Sequence, residues 1–239
     1  MIDKHLLKLR ARDAISAEEE AFIRGGVSGS AKVQRDTVVV RAFEPIHTSS
    51  ILVSGIACRF KDLGNGRRQI TELHVPGDFT DVHGFSLKYL DHDILAVTNC
   101  QFALVPHAHL QEMTEHQPHL TRVYWFGTNL DAAIHREWEL SLGRRDATAR
   151  MAHLFCELYV RLEIVGLVRQ GAYDLPLTQV ELSDCLGITP VHTNRTLQQL
   201  RSDGLVEFRS GQVILHDLAA LKAIADFDPR YLYLRRMPH

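Results

Sequence analysis

The 239-residue chain has few cysteines, and none of the four (Cys58, Cys100, Cys156, Cys185) stands in a Cys-x-x-Cys pair. Zinc-ribbon and iron–sulfur spacings are therefore absent. No run of 18 apolar residues occurs, so no membrane-spanning helix and no membrane partner are expected. Met1–Arg12 is charged and lacks a continuous apolar stretch, which predicts a reduced, cytoplasmic setting. Charge of one sign is missing too: 27 Lys+Arg stand against 29 Asp+Glu, for a net charge of −2. Only a mild basic shift over residues 144–239 hints at an anionic partner. A Rossmann fingerprint, a phosphate loop and a Ser-His-Asp set are all absent, so no enzymatic role is expected. What is present is ordinary for a globular chain, 45% hydrophobic and 23% charged, and the length suits one large domain or two modest ones.

Residues 3–25 read as helical, with Ser16 and Glu19 spaced as a capping box. From about Ala31 to Val105 the pattern changes to short strand-like runs: Thr37–Phe43, Ile51–Phe60, Gln69–Val75, Ile94–Thr98 and Gln101–Val105. Asn65-Gly66 suits a tight hairpin, because both residues tolerate positive φ, and Pro76-Gly77-Asp78 makes a second turn. Many short strands at this spacing predict an antiparallel sandwich or barrel. The period turns helical near Ala108. Leu120, Val123, Gly127, Leu130, Ile134 and Ser141 then form an apolar stripe, with Glu137 its polar exception, along a helix from about Pro118 to Leu142. Such a helix is roughly 37 Å long, more than a small domain needs, so the stripe is expected to be a seam against a second copy. Gly143-Arg144-Arg145-Asp146 reads as a hinge, with Gly143 ending one helix and Asp146 capping the next. Domains of 1–117, 118–143 (the dimerisation helix) and 144–239 follow.

Residues 176–215 carry the chemistry. Thr178 and Glu181 make a capping box for a short helix that stops at Gly187. A second helix runs from Pro190, placed where its missing N–H costs nothing, to Ser202. Val191, Leu197 and Leu200 are expected to reach the core. Leu205–Phe208 and Gln212–Leu215 follow as strands around Ser210-Gly211. Helix, glycine turn, helix and hairpin is the order of a winged helix-turn-helix, whose second helix enters the major groove of DNA. Across 189–202 the chain has two arginines, a histidine, an asparagine, two glutamines and no carboxylate. Phosphates would meet no opposing charge there, and arginine, asparagine and glutamine can bind base edges bidentately.

Taken together these features resemble the Crp/Fnr family of bacterial transcription regulators. Gly55, Gly64 and Gly66 punctuate the hairpins of a β-roll, and Leu73-His74-Val75-Pro76-Gly77-Asp78-Phe79 is similar to the family's glycine-aspartate-phenylalanine turn. Pro118–Leu142 matches the long helix, and Leu186-Gly187-Ile188-Thr189-Pro190-Val191-His192-Thr193-Asn194-Arg195-Thr196-Leu197 matches the helix-turn-helix. The resemblance implies an α+β fold: an N-terminal antiparallel β-roll of the cyclic-nucleotide-binding, jelly-roll type, a long dimerisation helix and a C-terminal winged helix-turn-helix. It implies a homodimer on a palindromic operator, working with RNA polymerase. By the same resemblance Arg195 takes the base-reading position, with Val191, His192 and Asn194 beside it. Thr178 and Gln179 take the phosphate-contacting end, and Thr189, Arg201 and Arg209 complete the expected DNA contacts.

Where the chain departs from the family, its effector is in question. Cyclic-AMP-binding members have a glutamate and an Arg-Ser pair where this chain has Val82 and His92-Asp93, and the adenine-facing positions fall at His135 and Arg136. Valine accepts no hydrogen bond and Asp93 repels a phosphate, so cyclic AMP is not expected. Nor is an iron–sulfur cluster, because clustered N-terminal cysteines are lacking. The candidate effector pocket comprises His74, Asp81, Val82, His83, His92, His135 and Arg136; these histidines are expected to be ordinary side chains with no metal. Two rival readings compete with this one: a metal-dependent enzyme of the cupin type, imitated by His107-Ala108-His109 with Glu112, and a β-roll interaction module that has lost DNA binding.

Overall fold

The computed structural model describes residues 1–236. Two short helices open it, α1 (Asp3–Arg10) and α2 (Ala17–Gly25). The sequence suggested one helical stretch. The Ser16 capping box, with its hydroxyl accepting from the Glu19 amide, instead starts a second helix after a break. Seven strands follow: β1 (Gly29–Val33), β2 (Thr37–Val40), β3 (Thr48–Ser54), β4 (Ala57–Asp62), β5 (Arg68–His74), β6 (Asp93–Ala96) and β7 (Cys100–Pro106), with a one-turn α3 (Gly84–Leu87) before β6. The run read as Ile51–Phe60 is two strands, because Gly55 adopts φ 90° in the tight turn between them. A Cβ there would lie 2.5 Å from the Asn99 carbonyl oxygen. In the β4–β5 hairpin only Gly66 takes positive φ; the Asn65 side chain accepts from the Arg67 amide instead.

The strands form two antiparallel sheets, ordered β1-β7-β3 and β2-β6-β4-β5. Leu52, Phe102, Ala57, Ile94 and Ala96 from both sheets share one buried cluster between them. The opposite face of β3–β7 is covered by α1, α2, α4 (His107–His116) and the start of α5 (Pro118–Arg144) through Leu6, Ile23, Leu110 and Leu120. Cys58, Phe60, Ile70 and Leu73 on the other sheet pack against Ile134, Trp138 and the C-terminal elements. β3 and β7, covered on both faces, read as largely apolar runs, whereas β1 at the edge alternates between exposed and half-buried positions.

Helix α5 ends at Arg144, with Gly143 inside it rather than at its C-terminus; Arg145 is extended and Asp146 caps α6 (Ala147–Glu163) by accepting from the Ala149 amide. Next come β8 (Ala172–Asp174), α7 (Gln179–Leu186), α8 (Pro190–Ser202), β9 (Val206–Arg209), β10 (Gln212–Leu215), α9 (Leu218–Ala225) and a 3-10 turn (Pro229–Leu232). The wing has a third strand that sequence reasoning missed: β8 pairs with β10, giving the order β8-β10-β9. This three-residue strand is anchored on α6 by Tyr173, whose buried hydroxyl donates to the Phe155 carbonyl.

The seam expected on α5 is corrected. Leu120, Val123, Ile134 and Ser141 are buried against this chain's own core, while Gly127 and Leu130 line a cavity beside α1. The β-roll takes up that stripe. A second row at the same 3,4 spacing faces outward instead: Arg122, Trp125, Asn129, Ala132, Arg136 and Glu139 are all exposed, Trp125 at 67%.

Candidate functional site

The helix-turn-helix is built as its local chemistry dictates. Thr178 caps α7 in a full capping box with Glu181, and α7 ends at Gly187 in the left-handed region at φ 63°. A Cβ at Gly187 would lie 3.0 Å from Leu142 and 3.2 Å from Gln69, so the turn is also a close approach to the β-roll half. Thr189 caps α8 by accepting from the His192 amide. Thr193 and Thr196, polar in composition, turn inward and donate to the carbonyls of Thr189 and His192, which satisfies their hydroxyls against the core. Val191 does the opposite of what was expected. It lies in the first turn of α8, before the helix reaches its packed face, and is 66% exposed.

The outward face of α8 therefore presents Val191, His192, Arg195, Gln198, Gln199, Arg201 and Ser202. Thr189, Val191, His192, Arg195 and Gln199 line one open concavity with Thr148 of α6. The Asn194 amide donates to Gln179 Oε1 at 3.2 Å, tying α8 to the first turn of α7. Gln199 donates to the Asp203 carboxylate. Arg201 lies 3.8 Å from Glu207, and Arg209 is exposed where the wing turns through Ser210 (φ 53°) and Gly211 (φ 76°). Thr178 and Gln179 are exposed at the start of α7.

The expected effector residues divide. His83, His92 and His135 line a single cavity of about 340 Å³ between the β-roll and α5, together with Arg59, Lys61, Asp91, Thr128 and Asp131. The His83 and His92 rings stack with centroids 5.5 Å apart. Burial, with the Arg59 charge beside them, pushes His83 down to about 3 and His135 down to about 4, so both are neutral at pH 7. His74 and Asp81 do not line this cavity. Each is buried in the core, where Asp81 accepts from the Ser50 amide and burial raises its carboxyl to about 7. Val82 faces the neighbouring, more apolar cavity with Phe79 and Leu130, and Arg136 is exposed on the outer row of α5. Among the described residues no three His, Cys, Asp or Glu side chains are grouped so as to hold a metal ion. His107 and His109 diverge: His107 pairs with the Ser49 hydroxyl, and His109 stacks on Phe22.

The comparisons with known proteins agree with this architecture. A Crp-like helix-turn-helix domain profile matches residues 149–224 and a cyclic nucleotide-binding domain profile matches 31–117. The transcriptional activator protein FnrL of Cereibacter sphaeroides is 32% identical over 71% of this chain and 69% of its own length. The nitrogen fixation regulation protein FixK of Bradyrhizobium diazoefficiens is 31% identical over 73% of this chain and 72% of its own. The solved structure of FixK2 from Bradyrhizobium japonicum superposes with a TM-score of 0.75 at 25% identity, covering 82% of this chain and 96% of that one. The chain belongs to the Crp/Fnr family of transcription regulators.

As in any Crp/Fnr regulator, a helix-turn-helix DNA-binding unit follows a β-roll, and here buried charges that sequence reasoning missed join the two. Arg59 donates to Glu72 at 2.7 Å, to Asp131 at 3.0 Å and to the Thr80 carbonyl. Arg161 of α6 reaches Asp78 at 3.0 Å, Glu157 at 3.0 Å and the Leu73 carbonyl at 2.8 Å, and Lys8 also pairs with Asp78. Glu157 in turn accepts from the Trp138 indole and the Tyr231 hydroxyl. Arg35, ahead of β2, grips both oxygens of Glu181 at 2.5 and 2.7 Å, and Gln69 donates to the Asp184 carbonyl. Charged residues so far apart in the chain carry no local pattern that would have marked them. The family's turn at Gly77-Asp78-Phe79 was the one available signal, since Asp78 is its acid.

Proposed function

We propose that this Crp/Fnr regulator acts in the cytoplasm as a homodimer on a two-fold-symmetric operator, together with RNA polymerase and without catalysis of its own. The observation that carries the reading is the outward face of α8, where Val191, His192, Arg195, Gln198 and Gln199 stand with no carboxylate. Base contacts go to Val191, His192 and Arg195. Thr178, Gln179, Thr189, Arg201 and Arg209 take the phosphates, and Asn194 braces Gln179. The descriptions of FnrL and FixK as regulators favour this reading over a cupin-type enzyme, and the divergence of His107 and His109 gives that enzyme no ligand pair.

The cavity lined by His83, His92 and His135 is the proposed effector site, and its residues do not fit a cyclic nucleotide. Val82, where cyclic-AMP-binding members have a ribose-holding glutamate, offers no acceptor and faces the neighbouring cavity instead. His92 stands where cyclic-AMP-binding members have an arginine, and burial lowers its pKa, so it brings no fixed cation to a phosphate; the Asp93 carboxylate is bonded to the Ala42 amide, outside the cavity lining. The four cysteines lie buried on β4, β7, α6 and α7, and among the described residues no three ligating side chains are grouped, which speaks against an iron–sulfur cluster.

Selection from a randomised duplex library, with and without cell extract, tests the DNA reading. Enriched sequences are expected to hold two inverted half-sites one helical turn apart, bound less tightly as salt rises. Salt-independent or undetectable binding refutes it. The dimer is assigned to the exposed row of α5, so Trp125→Glu is expected to weaken self-association by about 2 kcal/mol or more, the scale of a buried interface tryptophan. Sedimentation equilibrium of both proteins measures this. A wild type that is already monomeric at micromolar concentration, or a variant that dimerises equally well, removes the seam.

A further inference from the structure

We propose that Val191 of α8 reads the methyl group of a thymine, within about two base pairs of the guanine that falls to the base-reading Arg195. This rests on the DNA-binding reading above and adds the composition of the half-site.

Among the large apolar side chains of α8, Leu197 and Leu200 pack against the protein, and only Val191 is strongly exposed, at 66%. Its branched Cβ leaves it few rotamers, so it projects as a fixed apolar knob. It sits in the first helical turn, which is the part of a recognition helix that meets base edges. In the major groove the one apolar group on a base edge is the thymine C5-methyl. Arg195 stands one turn further on the same outward face, and an arginine fork matches guanine O6 and N7. Four residues advance a helix by about 6 Å. At about 3.4 Å per base on one strand, the two contacts fall within two steps of each other.

Two of the competing readers are occupied, while His192 and Gln198 stay free to add contacts beside Val191 and Arg195. Asn194, whose amide could take adenine, donates to Gln179, and Gln199 donates to Asp203. No carboxylate on 189–202 can accept from a cytosine amino group.

The test uses the duplex most enriched from the randomised library by the full-length protein. Its half-sites are expected to hold a guanine with a thymine within two base pairs. Replacing that thymine by uracil removes one methyl group and is expected to weaken wild-type binding about fourfold per half-site, the worth of one buried methylene. Val191→Ala, at an exposed position, should fold normally and bind the thymine and uracil duplexes alike. Val191→Glu should shift the enriched base to cytosine. Enriched half-sites without such a thymine, or wild-type binding indifferent to uracil, overturn the Val191 assignment and leave DNA binding standing. A library that yields no enriched duplex overturns both.

Discussion

Arg161→Ala is expected to lower the stability of the folded chain by about 3–5 kcal/mol, the cost of removing one partner from a buried ion pair. The Arg161 side chain is 5% exposed, and its guanidinium touches Asp78, Glu157 and the Leu73 carbonyl. Glu157 is fully buried, so deleting the cation leaves a carboxylate with no route to water. A double variant, Arg161→Met with Glu157→Gln, should recover part of the loss, because it removes the stranded charge as well as the cation. Chemical denaturation at pH 7 measures both. A single-variant cost below about 1 kcal/mol would show the network to be a bystander.

The same network fixes the pH dependence. Lys8 and Arg161 hold the Asp78 carboxyl well below the usual carboxylate range. Its contribution is fully present above the unfolded value of about 4 and is lost as pH falls toward the native one. The gap between wild type and Arg161→Ala should therefore narrow below about pH 4.

The second large effect is on binding. Arg195→Ala is expected to cost about 1–3 kcal/mol at each half-site, the worth of a bidentate arginine–guanine pair. A dimer engaging both halves loses the sum, roughly thirtyfold or more in affinity. The side chain is exposed and makes no ion pair among the described residues, so the melting temperature should stay where it is. Fluorescence anisotropy against the selected duplex, with a thermal melt alongside, separates the two. Unchanged affinity removes Arg195 from the interface, and a lowered melting temperature makes any loss uninterpretable as a contact.

The parts of this fold that were legible in the sequence are those decided within a turn or two of chain. Ser16 with Glu19 and Thr178 with Glu181 announce helix starts because each box satisfies its own orphan amides. Gly187 and Pro190 mark the turn of the helix-turn-helix through backbone φ and a dispensable N–H. Failures came where distant packing decides. The 3,4 stripe on α5 was read correctly as apolar, but periodicity does not say what covers it, and the β-roll took the face assigned to a second copy. Val191 looked like core by residue type, yet it sits a turn before the packed face begins. Arg59, Glu72, Glu157 and Arg161 stand in no local pattern of the sequence, because the partners that surround them come from other elements. Among the effector residues, spacing brought His83 and His92 together, but it could not tell that His74 and Asp81 belong inside the sheets.

The grip of Arg35 on Glu181 has an electrostatic side. Glu181 is the acid nearest the end of α7 that faces the duplex in the proposed complex, and in the docked arrangement a guanidinium from the sensor half masks its charge. Without that guanidinium the carboxylate would keep only the Thr178 amide of its own capping box, and its negative charge would oppose phosphates at the proposed duplex face. The ion pair thus lets the sensor half set the charge of the proposed duplex face without touching the reading helix.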